Sequence, residues 1–213
     1  MKIAAIIPAR GGSTRLKRKN IYPVWGAPML SWSIKACQAS KHITDIYVST
    51  EDEEILKVAE ECGAKAIKRP PELADNFTFK QYAIIHAVES LTYKPDYVIS
   101  IQANSPEMSA IDLDKAIEKI ITHDRNEIFS VNPELIQNAA FRIMKYDYVF
   151  QETISTRSGV YVTDYVDVHS LEDVQNLEDN KNWLRRNYKE VVRFWIQDSC
   201  SLCHERKHWN FSR

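Results

Sequence analysis

Aspartate and glutamate are absent from the first 44 residues of this chain, and eight lysines and arginines stand there instead. The formal net charge is −1, so the rest must sum to −9 against a local +8. Such asymmetry marks a localised anionic partner. The near-zero total excludes a global field that would drive the chain onto nucleic acid or a membrane. Long apolar runs are missing too: no stretch approaches the ~20 apolar residues of a membrane span. The opening MKIAAIIPAR is closed by Arg10 after too short a run for a signal peptide. Cysteine is scarce, four residues in 213, too few and too scattered for a disulfide framework. The expectation is a cytoplasmic protein with reduced thiols. No internal repeat, low-complexity tract or clear linker divides the chain. Its length suits one domain, residues 1–213, able to bury a core unaided.

What is present is a strong alternation. IAAIIP reads as a strand buried on both faces. APMLSWSIKACQAS has apolar residues at three- and four-residue spacing and predicts an amphipathic helix. DIYVST is a strand, EDEEILKVAEECG a helix stopped by Gly63, and AKAIKR a strand ended by Pro70 and Pro71. FKQYAIIHAVESL, DYVISIQA, SAIDLDKAIEKIITH and EIFSV continue helix, strand, helix, strand. The alternation predicts an α/β sheet with helices on both faces and right-handed crossovers. After about residue 132 the pattern changes. AFRIMKYDYVFQE and SGVYVTDYVDVH read as a hairpin or edge strands, a small β insertion over about 133–166. Residues 170–213 read as largely helical, with Ser170 as N-cap.

The excess charge is concentrated in RGGSTRLKRKN, residues 10–20, which has five cations and two adjacent glycines. It follows the first strand, on the side where α/β sheets bind ligands. Gly11 and Gly12 allow the backbone to approach a ligand and turn its N–H groups inward. Arg10, Arg15 and Lys19 can add charge-assisted hydrogen bonds to phosphate oxygens. The pattern is neither a Walker loop nor G-x-G-x-x-G. A solvated basic loop or a nucleic-acid patch is the plainer alternative. The pI of about 6.6 speaks against a nucleic-acid partner.

IIPARGGSTRLKRKNI resembles the opening signature A-R-x-G-S-K-R-x-x-x-K-N of the sugar-acid cytidylyltransferases, closest to the CMP-acylneuraminate branch. The match falls on Ala9, Arg10, Gly12, Ser13, Arg15, Lys19 and Asn20 and departs at Thr14, where the family usually has Lys. IYVSTEDEEI, KRPPELADN, SIQANSPEMSAIDLDKAI and VDVHSLEDVQNLE resemble further family segments in the same order. The resemblance implies a Rossmann-like nucleotidyltransferase fold with a mixed, mostly parallel sheet. It implies transfer of CMP from CTP to a sugar acid such as a nonulosonate, with release of pyrophosphate. A non-catalytic nucleotide-binding relative, or a nucleotidyltransferase for another sugar or phosphate acceptor, stays open. In this reading Arg15 and Lys19 meet the phosphates. Arg10, Ser13 and Asn20 shape the loop and touch the nucleotide, Arg69 contacts it and Gln102 meets the sugar. If Thr14 weakens triphosphate binding, Lys17 or Arg18 could compensate by reaching in.

A sugar acid also needs a cation for its carboxylate, and Arg142 and Arg157 are the candidates. Asp167 and His169, where the family has two aspartates, are the metal candidates. Read as an edge strand, YVDVH would put both on one face. Mg²⁺ can be held by one carboxylate plus substrate phosphates, whereas His169 suits a softer ion such as Mn²⁺. His169 could instead take the acceptor's proton, or simply cap the helix at Ser170. The segment between Pro106 and Asp167 is shorter than in relatives, where it builds a dimer arm, which leaves a homodimer open. The expected partners are CTP and a sugar acid, without nucleic acid or membrane. Cys200, Cys203 and His208 have spacing compatible with zinc, and CSLCH fits a haem-attachment pattern. A polar tail with two chance cysteines is the plainer reading.

Overall fold

The IAAIIP run forms β1 (Ile3–Pro8) in the computed structural model, which describes residues 1–75, 78–153 and 155–179. A Trp25–Gly26 turn joins β2 (Pro23–Val24) to β3 (Ala27–Pro28). Both turn residues have positive φ, 49° and 79°, the type I′ geometry of a two-residue hairpin. There follow α1 (Met29–Ala39), β4 (Asp45–Thr50), α2 (Glu53–Glu61), β5 (Lys65–Lys68), α3 (Lys80–Glu89) and β6 (Tyr97–Ile101). Then come α4 (Ala110–Thr122), β7 (Glu127–Val131), β8 (Gln137–Lys145), β9 (Ser158–Val162) and α5 (Leu171–Asp179).

Among the described residues, seven strands form one mixed sheet in the order β5-β4-β1-β6-β8-β7-β9. Only β8 runs antiparallel to its neighbours. Alternation along β1 sorts the two layers. Ile3, Ala5 and Ile7 pack with α1, α2 and α4, while Ala4 and Ile6 pack with α3. Helices therefore cover both faces, as the sequence predicts.

The segments read as a hairpin or edge strands part company. β8 is interior, hydrogen-bonded to β6 and β7, and only β9 lies at the edge, parallel to β7. β8 can sit inside because Ala140, Phe141, Ile143 and Met144 are buried and its one central charge, Arg142, is paired with the fully buried Glu127 of β7. YVDVH is not a strand; residues 163–169 run as irregular chain from β9 to α5. A third apolar cluster joins Leu16, Val24, Trp25, Met29, Trp32, Val168, Val174 and Leu177. Trp25 and Trp32 meet edge to face at 5.4 Å, and Trp25 Nε1 donates to Leu177 O at 3.2 Å. This cluster ties the segment around Asp167 to the base of the basic loop.

Candidate active site

The carboxyl ends of β1, β5 and β6 open into a cleft of about 310 Å³. The basic loop supplies Arg10, Ser13, Arg15, Lys19 and Asn20 to its wall; Arg69, Gln102 and His169 join them from three other places in the chain. Asn20, buried, donates through Nδ2 to Arg10 O at 2.8 Å and so closes the loop on itself. Arg10 Nη1 donates to Asp75 O at 2.9 Å. Ala9 lies beneath, fully buried, extending the β1–β4 ladder by donating to Ser49 O at 3.0 Å.

The two glycines play different parts. A Cβ on Gly11 would run into the Asp52 carboxylate and come within 2.9 Å of the Asp52 Cβ; one on Gly12 would meet nothing within 4 Å. Asp52 has no freedom to yield, because its Oδ1 caps α2 by accepting from Glu54 N and Ile55 N. The Gly11 N–H, expected to face a ligand, donates instead to Glu51 Oε1 at 2.7 Å. Glu51 Oε2 accepts from Arg69 Nη2 at 2.9 Å, so one carboxylate fixes both the loop and the buried arginine. Lys17 and Arg18 do not line the cleft, and Arg18 pairs with Glu54 on α2.

His169 lines the cleft although the chain there is not a strand, and Asp167 stands just behind it, bonded to His169 and Asn104, which both line the cleft. Arg15 Nη2 lies 3.0 Å from His169 Nδ1, across 154 positions of sequence. Guanidinium can only donate, so Nδ1 accepts and the ring proton sits on Nε2. His169 Nε2 lies 3.0 Å from Asp167 Oδ2, and Asn104 Nδ2 donates to Asp167 Oδ1. Asn104 also exchanges backbone and side-chain hydrogen bonds with Val168, at 2.9 Å each, pinning this segment to the end of β6. The Asp167 carboxyl pKa is raised, first by burial; His169, Lys19 and Lys80 oppose the shift. Ser170 Oγ accepts from Asp173 N, while Asp173 accepts from His169 N and Ser170 N at 2.8 Å each. The expected cap at Ser170 is therefore present, and the His169 backbone joins it while its ring serves the cleft.

Two cations in the cleft are desolvated. Lys19 has a lowered pKa, first through burial; Asp167 pulls it up, and Arg15 and Arg10 push it down. Lys80, the first residue of α3, also lines the cleft. Its side chain is exposed to solvent in the cleft, and partial desolvation by the protein around it lowers its pKa.

The two arginines expected at the acceptor carboxylate are used elsewhere. Arg142 donates through Nε to Glu127 Oε2 at 3.0 Å and through Nη1 to Gln81 at 3.3 Å, and does not line the cleft. Arg157 precedes β9 at the opposite end of the sheet and donates to Asp124 Oδ2 at 2.6 Å. His169 is not turned toward a metal, since both ring nitrogens are engaged. Asp167 can still serve: Oδ1 accepts from Asn104 and Oδ2 from His169, and each oxygen keeps a lone pair for a cation. Cys200, Cys203 and His208 lie outside the described residues. Sequence reasoning passed over Asn104, Lys80 and Glu51. Asn104 stood within the quoted SIQANSP segment; nothing local distinguishes Lys80 or Glu51 from ordinary surface charge.

The chain matches the family model described as Cytidylyltransferase over residues 4–198. Pseudaminic acid cytidylyltransferase of Campylobacter jejuni subsp. jejuni is 37% identical over 134 residues, 61% of this chain and 58% of that protein. N-acylneuraminate cytidylyltransferase A of Danio rerio is 36% identical over 134 residues, 61% of this chain and 30% of that protein. The matched stretch thus spans little more than half of the first relative and less than a third of the second. A CMP:2-keto-3-deoxy-manno-octonic acid synthetase complexed with CTP superposes with a TM-score of 0.72 at 13% identity, covering 85% of this chain and 99% of that one. A cytidylyltransferase from Leptospira borgpetersenii superposes at 0.67 and 16% identity, covering 99% and 100%. At such identities the likeness is one of fold.

Proposed function

Since the chain belongs to the cytidylyltransferase family, we propose that it transfers CMP from CTP to a hydroxyl of a sugar acid of the nonulosonate class and releases pyrophosphate. The observation that carries this reading is the contact of Arg15 with His169. It joins the basic loop to the Asp167–His169 pair, which supports a phosphate-binding wall beside a group able to take a hydroxyl proton. The relatives named for pseudaminic and N-acylneuraminic acids supply the acceptor class.

In the reaction the acceptor oxygen bonds to the α-phosphorus as the α–β phosphoanhydride bond breaks, and pyrophosphate leaves with the electron pair. Negative charge spreads over phosphoryl oxygens, and fixed cations there lower the barrier. Arg10, Arg15 and Lys19 are those cations, with Ser13, Asn20 and Arg69 facing the nucleotide and Gln102 the sugar. When Arg15 turns to phosphate, His169 Nδ1 is left with a lone pair toward the cleft. His169 then takes the hydroxyl proton, and Asp167 stabilises the resulting imidazolium. Asp167 would also hold Mg²⁺, or Mn²⁺, which when bound would neutralise triphosphate charge. Among the described residues no helix is long and apolar enough to cross a membrane.

Titration calorimetry with the four NTPs tests the reading at the level of binding. CTP should bind more tightly than the others. Arg15→Ala should weaken it by about 1.5–3 kcal/mol, the worth of one charge-assisted hydrogen bond. Equal affinity for all four nucleotides, or unchanged CTP affinity in the variant, contradicts it.

A further inference from the structure

Lys80 is placed in the cleft by the register of α3. Ala83, Ala87 and Ile84 form the buried stripe of that helix, and Lys80 stands one turn before Ala83. Residues three apart share a face, so the stripe that packs on the sheet ends in a lysine at the cleft wall. Ala83 and Thr78 line the cleft beside it. Among the described residues the Lys80 ammonium makes no hydrogen bond or ion pair. The charges that reach it are Asp167, which favours its protonated form, and Arg142, which opposes it. Water reaches the exposed side chain, so what sets it apart from an ordinary surface lysine is its place on the cleft wall, within range of the Asp167 charge.

The rest of the cleft leaves a task for this cation. Thr14 is uncharged where the resemblance leads one to expect lysine, and neither Lys17 nor Arg18 lines the cleft. Arg142 and Arg157 are bound to Glu127 and Asp124. We propose that Lys80 is a further substrate-binding residue of this site, meeting an anionic oxygen of the ligand from α3 rather than from the basic loop. This rests on the reading of the cleft as a site for anionic substrates. The oxygen belongs either to the nucleotide phosphates or to the acceptor's carboxylate, and lysine serves both as a point charge.

The test compares wild type, Lys80→Ala and Lys80→Arg, with thermal melts to confirm that each is folded. Calorimetry uses tripolyphosphate and CTP separately; steady-state kinetics gives KM for the sugar acid. Lys80→Ala should lose about tenfold to a hundredfold in one of these quantities, and Lys80→Arg should recover most of it. Weaker CTP and tripolyphosphate binding assigns the phosphates, and Thr14→Lys in the Lys80→Ala background should then restore affinity. Unchanged nucleotide binding with a raised KM for the acid assigns the carboxylate. All three quantities unchanged in Lys80→Ala overturns the proposal. If the wild type binds tripolyphosphate but shows no preference for CTP, the cytidylyltransferase reading fails, while the tripolyphosphate arm still tests Lys80.

Discussion

In the proposed reaction two partners compete for the Arg15 guanidinium: the His169 ring in the free protein and phosphate in the complex. That competition is the residue-level core of the account, because it makes nucleotide binding release the base. Lys19 gives a second, independent handle. Its pKa is lowered by burial and by Arg15 and Arg10, so in the free protein its positive charge is lost below the ordinary 10.5. The sign follows: CTP affinity should fall as pH rises, and at a lower pH than for a solvated lysine. Lys19→Arg should flatten that limb, since arginine stays charged throughout. Calorimetry as a function of pH reads it directly. A wild-type profile that stays flat to pH 10.5, or an Arg variant with the same limb, would remove Lys19 from the phosphate contacts.

At the scale of the element, the basic loop works because other elements brace it. Glu51 holds its first glycine, Asn20 closes it, and Asp52 packs where a Cβ at position 11 would go. Gly11→Ala should therefore cost about 1–3 kcal/mol of stability through overpacking and a disturbed α2 cap. Gly12→Ala should leave the denaturation midpoint nearly unchanged. Equal midpoints for the two variants in chemical denaturation would show that the loop is not braced in this way. The elements were legible to differing degrees. β1, α1, β4 and α2 announce themselves because burial on one or two faces imposes a period on the apolar residues. β8 does not: Arg142 and Lys145 look like edge charges, and only the pairing of Arg142 with Glu127, 15 residues away, lets the strand lie inside. Residues 163–169 read as strand from alternation alone, yet they are held by isolated bonds, Val166 N donating to the Glu107 carboxylate and Val168 N to the backbone oxygen of Asn104.

Across the whole molecule, the sheet brings residues 10–20, 69, 102–104 and 167–169 to one end. The loop's share of the cleft wall was readable, because its cations stand together in sequence directly after a strand. The places of the more distant cations were not. Arg142 and Arg157 had the right charge, but their placement depends on pairings that a linear chain does not display. Lys80 owes its position to the packing of α3 on the sheet.

The central claim is that these pieces make a CTP-dependent transferase, and pyrophosphate release tests it most directly. It would be measured with each of the four NTPs, Mg²⁺ and a panel of sugar acids, for the wild type and Asp167→Asn. The account predicts release only with CTP together with a nonulosonate, and loss of that release in Asp167→Asn while weak CTP binding persists. CTP binding without release for any acid, equal release from other NTPs, or full activity in Asp167→Asn would contradict it.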